Sequence, residues 1–242
     1  MPALLEAYDV PFTGSDSLVL ALALHKGMAK RVVRDLGLPT PDFAVVETEA
    51  EADAVDLPFP LFVKPIAEGS SKGVRETSRV SDRAALRAAC AESVRRFRQP
   101  ALVETYLPGR ELTVSILGTG ARAEVVGVLE TLQDLPGAVY SYDVKVDWVG
   151  RVRYQLVDGR VEAEGKALAL AAWRGLGCRD VGRVDLRGDA SGRFQFLEVN
   201  PLAGQRPGVS DLCLTCDLRG MSYQDMVGRV IRSALERAEA VR

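Results

Sequence analysis

The chain has 242 residues, 47% of them apolar and 26% charged, with a formal net charge of -2. That length holds one large or two small domains with a sizeable core. The near-neutral balance argues against binding polyanions by bulk charge, no apolar run is long enough to span a bilayer, and no basic-then-apolar leader opens the chain, so the expectation is a cytoplasmic protein without nucleic-acid or membrane partners.

In chain order, residues 1–16 read as a connector. Residues 17–36 read as one helix, with apolar side chains at helical spacing and Gly37 as the stop. Leu38-Pro39-Thr40-Pro41 is a hard break. Short apolar strands follow at 43–46 and 61–65, the second ending in Lys64 and Pro65, and 82–97 reads as a helix. From 101 onward strands succeed one another at 101–105, 111–117 and 123–130. Residues 134–150, with Tyr140, Tyr142 and Trp148, read as a long functional loop that closes over the site, Gly137 and Gly150 being its hinges. A helix at 162–176, strands at 181–186 and 194–199 joined by a turn at 187–193, and an amphipathic helix at 223–241 complete the chain. Helices mixed with antiparallel strand signals make the class α+β, in two units, 17–101 and 102–242.

Three stretches carry chemistry. Lys64 precedes Glu68-Gly69-Ser70-Ser71-Lys72-Gly73, a loop of small residues whose backbone N–H groups and hydroxyls suit an anion, or else a plain polar hairpin; it is not a Walker A loop. Glu104 and Glu111 bracket the turn at 107–110 and are either solvated or acceptors for an amino group and hydroxyls. Arg183 and Asp185 share one face of a strand, and Glu198 and Asn200 share one face of the next. Asp185, Glu198 and Asn200 together offer three hard oxygen ligands suited to Mg²⁺; a cross-strand Arg–carboxylate pair accounts for the same spacing. Cys213 and Cys216 form a lone C-x-x-C without a second pair, and His25 is the only histidine, which argues against zinc, redox and Ser-His-Asp chemistry.

In this order the stretches resemble the ATP-grasp superfamily, and within it the D-alanine–D-alanine ligase family. The matching residues are Val10-Pro-Phe-Thr-Gly-Ser15, Lys26, Gly37-Leu-Pro-Thr-Pro41, Val63-Lys-Pro65 with Glu68-Gly-Ser-Ser71, Val103-Glu104 through Gly109-Arg-Glu111, Tyr140-Ser-Tyr-Asp-Val-Lys145, Gly182-Arg-Val-Asp185, and Glu198-Val-Asn200 through Gly204. The resemblance implies two α+β subdomains, 17–101 and 102–242, clasping ATP with Mg²⁺ or Mn²⁺. It implies a carboxylate–amine ligase that forms an amide through an acyl phosphate, a step of peptidoglycan biosynthesis. Lys26 and Lys64 would contact phosphates, Glu104 the adenine and Glu111 the ribose, with Leu107 also at the nucleotide. Ser70 and Ser71 would lie over the phosphates, and Lys145 would reach the γ-phosphate. Arg183 would stabilise the reacting oxyanion, while Asp185, Glu198 and Asn200 hold the metal. Glu68, Gly204, Arg206 and Ser210 would face an amino acid or peptide substrate.

The chain departs from that family in three places. Family members carry a leading α/β domain before the Val10 match; the expectations are a naturally short gene, a start chosen downstream of the true one, or a homodimer partner or separate chain that supplies the domain. Val146 follows the loop lysine where an aromatic is usual. Gln205-Arg-Pro-Gly-Val-Ser210 replaces a segment that holds the second substrate's carboxylate, so Ser210 serves only with a one-residue slip and Arg206 is an added cation. A module that binds ATP without a complete substrate site is the competing expectation.

Overall fold

The computed structural model describes residues 1–133 and 152–239. Helix α1 (Pro2–Ala7) opens the chain where only a connector is expected; Pro2 stands in its first turn, where a missing N–H is tolerated. The helix expected over 17–36 is two, α2 (Ser17–Leu24) and α3 (Lys26–Asp35). His25 breaks it: its ring nitrogen accepts from the Met28 N–H and caps α3. The Lys26 N–H leaves the helix ladder and donates to the Ile66 carbonyl at 3.0 Å, which ties α3 to the strand end carrying Lys64.

Strands β1 (Phe43–Val46), β2 (Leu61–Pro65) and β3 (Arg79–Val80), helix α4 (Arg83–Phe97) and strand β4 (Ala101–Thr105) make the first layer pair. Its sheet runs β1-β4-β2-β3 with antiparallel neighbours. Val46, Leu61, Val63 and Val103 bury one face against Leu86 and Cys90 of α4. The expected boundary at 101/102 falls inside β4, whose five residues all pair with β2.

The second sheet is built from β5 (Glu111–Leu117), β6 (Glu124–Gln133), β7 (Val152–Leu156), β8 (Val181–Gly188) and β9 (Phe194–Asn200), in the antiparallel order β7-β6-β5-β8-β9. Helix α5 (Gly159–Gly175) covers one face, and α6 (Asp211–Leu218) with α7 (Tyr223–Glu239) covers part of the other. Alternation sorts the side chains. Leu112, Val114 and Ile116 of β5 and Val184 and Leu186 of β8 go into the core under Trp173 of α5. Glu111, Thr113, Arg183, Asp185 and Arg187 go to the opposite face, where they line a cleft.

Strict alternation fails in β9, and the failure builds the site. Phe194 and Phe196 are in the core. At unbroken period two, Glu198 and Asn200 would follow them there. The pairing instead slips between Asp185 and Leu186: Leu186 faces Phe196, Asp185 faces Glu198, and Leu197 is the extra residue of a β-bulge. Val199 then enters the core, and Glu198 turns to the cleft.

Candidate active site

The cleft lies between the two sheets. From the first side come Lys64 and Pro65 of β2, with Glu68 and Ser71 of the loop that follows; from α3 comes Lys26; from the second sheet come Glu111, Arg183, Asp185 and Glu198. Both lysines are buried and committed to carboxylate or carbonyl oxygens. Lys64 Nζ donates to Glu104 Oε1 at 2.6 Å. Lys26 Nζ donates to the Glu68 carbonyl and lies 3.5 Å from Glu198 Oε2, so it bridges the anion-type loop and the acidic strand end. Ser70 and Ser71 both adopt left-handed backbone, φ 54° and 57°, an uncommon conformation for serine.

The three oxygen-bearing residues come together. Asp185 and Glu198 are cross-strand partners, and Arg183 pairs with Asn200 one step along. Asn200 Nδ2 donates to Asp185 Oδ2 at 2.9 Å and to Glu198 Oε1 at 3.5 Å, and Thr113 Oγ1 donates to Asp185 Oδ1 at 3.0 Å. Arg183 is ion-paired to Asp211 and stands 3.5 Å from Asp185. Two carboxylates and a carboxamide held within contact distance are a donor set of the kind Mg²⁺ takes, with room left for phosphate oxygens; the residues fit that ion.

Glu104 does not line the cleft. It is buried, 3% exposed, and lies beneath it with Lys64 on one oxygen and Lys30 Nζ at 3.1 Å from the other. Burial pushes its carboxyl up, and the charges of Lys30 and Lys64 more than offset this, leaving it below the usual carboxylate range. Leu107 is likewise buried, outside the cleft lining. Glu111 does line it, paired with Arg187 at 3.0 Å.

A second cleft adjoins the first, lined by Ser70, Asn200, Gly204 and Ser210. A Cβ on Gly204 would come within 2.8 Å of Ser210 Oγ, so a side chain there would displace the Ser210 hydroxyl. Ser210 Oγ also accepts from the Arg206 N–H at 3.0 Å, which folds 206–210 into a turn; the Arg206 side chain is exposed and lines neither cleft. Lys145 and Val146, with the loop expected over 134–150, lie outside the described residues. Cys213 and Cys216 are free and buried in α6, the Cys216 thiol pushed up to about 11 by burial first. Sequence reasoning left out Lys30, Arg187, Tyr154 and Asp211. Lys30 had a signal, since it stands one helical turn from Lys26 on the same side of α3.

A family profile described as "D-ala D-ala ligase C-terminus" matches residues 32–232. The chain belongs to the D-alanine–D-alanine ligase family. Among the relatives, the D-alanine–D-alanine ligase of Cupriavidus necator is 37% identical over 237 residues, which is 96% of this chain and 70% of that protein. The D-alanine–D-alanine ligase of Marinobacter nauticus is 36% identical over 243 residues, 97% of this chain and 70% of that protein. Among solved structures, D-alanine–D-alanine ligase from Bacillus anthracis complexed with ATP superposes with a TM-score of 0.78 at 22% identity, covering all of this chain and 76% of that one. The VanG D-Ala:D-Ser ligase from Enterococcus faecalis gives 0.78 at 24% identity, covering 96% and 68%. The α+β ATP-grasp fold expected from the motifs is the fold observed. Among the described residues no helix is long and apolar enough to cross a membrane.

Proposed function

We propose that this chain uses ATP to join the carboxylate of one small amino acid to the amine of another, as a D-alanine–D-alanine ligase does. The observation that carries the reading is one cleft with opposed chemistry. Lys26 and Lys64 present cations from one side, and Asp185, Glu198 and Asn200 present hard oxygens from the other, with Arg183 beside them. That arrangement suits a triphosphate and its magnesium ion, a charge pattern that phosphoryl transfer requires.

In this reading Asp185, Glu198 and Asn200 hold Mg²⁺, which supplies charge neutralisation on the phosphates. Lys26 and Lys64 grip the phosphate oxygens, and Glu111 takes the ribose hydroxyls. Glu104 acts through Lys64, to which it is hydrogen-bonded, and Lys145 contacts the γ-phosphate. A substrate carboxylate attacks the γ-phosphorus, and the acyl phosphate formed places its carbonyl oxygen by Arg183, whose guanidinium offsets the developing negative charge. The 70-loop hydroxyls, Ser70 and Ser71, orient the reacting groups. Gly204 and Ser210 shape the second cleft for the amino acid. The proposed location is the cytoplasm, in keeping with four free, buried cysteines.

The test is phosphate release from MgATP against a panel of D- and L-amino acids, with the product mass determined. Release that depends on a D-amino acid, with an amide product, is expected. Tight ATP binding without turnover on any amino acid would leave a nucleotide-binding module instead.

A further inference from the structure

The two clefts share Tyr154, Arg183 and Asp211 as common wall. Arg183 and Asp211 are the charged side chains of the second cleft, and they are paired with each other. The pairing uses Asp211 Oδ2 only; among the described residues Oδ1 accepts no hydrogen bond. A carboxylate offers about four acceptor sites, so this one retains capacity on the side away from the guanidinium. Asp211 is also the first residue of α6. An anionic acceptor therefore stands at the junction of the nucleotide cleft and its neighbour, next to the arginine that faces the reacting carbonyl.

We propose that Asp211 receives the ammonium group of the amine substrate at this junction and takes its proton. This rests on the ligase reading above. The second cleft is a cation-accepting site for a primary ammonium, and Asp211 points that nitrogen at the carbonyl held by Arg183. Proton transfer to Oδ1 frees the nitrogen lone pair. The C–N bond forms at the acyl carbon, the C–O bond to phosphate breaks with its electron pair, and inorganic phosphate leaves with the second nitrogen proton. Arg183 lies between Asp185 and Asp211, so one guanidinium separates the metal-holding carboxylates from the amine-holding one.

The experiment compares two amines for one acyl phosphate, made from D-alanine and MgATP. Hydroxylamine is largely uncharged at neutral pH and gives the hydroxamate; a second D-alanine brings an ammonium and gives the dipeptide. In Asp211→Asn, dipeptide formation should fall by about thirtyfold or more, the loss of the carboxylate that receives the ammonium. Hydroxamate formation should stay within about threefold of wild type. Asp211→Glu, which keeps the carboxylate, should recover a large part of dipeptide formation. Asp211→Ser carries the same comparison if the Asn variant does not fold, and serine suits a helix start. Equal losses in both products would mean that Asp211 only positions Arg183, and no loss in either would remove it from the reaction; each overturns the proposal while the ligase reading stands. A wild-type protein that makes neither product overturns both.

Discussion

Lys30 Nζ lies 3.1 Å from Oε2 of Glu104, and both side chains are sealed from solvent. The same nitrogen donates to Thr40 Oγ1 at 3.1 Å and to the Phe196 carbonyl at 3.3 Å. One ammonium thus joins α3, β4 of the first sheet and β9 of the second, directly below the cleft. Removing it leaves Glu104 with Lys64 alone and the Phe196 carbonyl with only the Thr40 hydroxyl, at 2.9 Å. Lys30→Met should lower stability by about 3 kcal/mol, the low end for breaking a buried ion pair because Lys64 remains. Urea unfolding at pH 7 measures this; a loss below about 0.5 kcal/mol, the scale of a surface change, would mean the tie is not structural.

The same lysine gives stability a pH slope. Burial pushes its pKa down from 10.5 to about 8, against the pull of Glu104. Below about pH 8 both folded and unfolded chains carry this proton, and the group adds no slope. Between about pH 8 and 10.5 the unfolded chain still holds a proton that the folded chain has released, so rising pH favours folding through this group. Wild-type stability minus that of Lys30→Met should therefore climb across this window. A flat difference would show that Lys30 titrates normally.

Much of this was legible in the sequence. Short apolar runs and the turn signals between them located β2, β4 and β5 to the residue, and Glu198 and Asn200 were placed beside Asp185 through their spacing. What alternation could not give was which face they take. Phe194 and Phe196 point inward, and only the bulge at Leu197, a property of the pairing with β8, turns Glu198 outward. The break at His25 was hidden for a related reason, since the Lys26 N–H is drawn out of the helix by a carbonyl 40 residues away in sequence. Asp211 was hidden because a carboxylate at a helix start reads first as a favourable charge on the dipole.

Asn200 should be worth more to metal than to fold. Its carboxamide touches Asp185 and Glu198, and the residue lines the second cleft. Asn200→Ala should weaken MgATP binding by about tenfold, the equivalent of one charge-assisted hydrogen bond. Binding of ATP in EDTA should change far less. Calorimetry with and without magnesium separates the two, and equal weakening in both would remove the residue from the metal site.

Glu111 lines the cleft with Arg187 at its back. If its carboxylate accepts from ribose hydroxyls, the loss belongs to those hydroxyls alone. Wild type should prefer ATP over 2′,3′-dideoxy-ATP by about tenfold, and Glu111→Ala should bind both alike. Competition binding reads the ratio. A preference that survives in the variant assigns the hydroxyls to another group.

Gly182 sits in β8 next to Arg183, at the point where the strand meets the end of β9. A Cβ there would come within 2.6 Å of the Asn200 carbonyl oxygen and of the Trp173 ring. Neither can yield cheaply. Trp173 is fully buried under the second sheet, and the Asn200 backbone is held by the pairing of Arg183 with Asn200. Gly182→Ala must therefore push the end of β9 away from β8, by several tenths of an ångström, and take the Asn200 side chain with it. Overpacking of this kind costs about 1–3 kcal/mol. The functional effect should exceed what that stability loss explains: at a temperature where the variant is fully folded, MgATP binding should weaken at least as much as in Asn200→Ala, because Asp185 and Glu198 lose their shared register as well. Normal MgATP affinity in a folded Gly182→Ala protein would show that the metal ligands tolerate a shift of this strand end, and that the close approach of β8 and β9 serves packing alone.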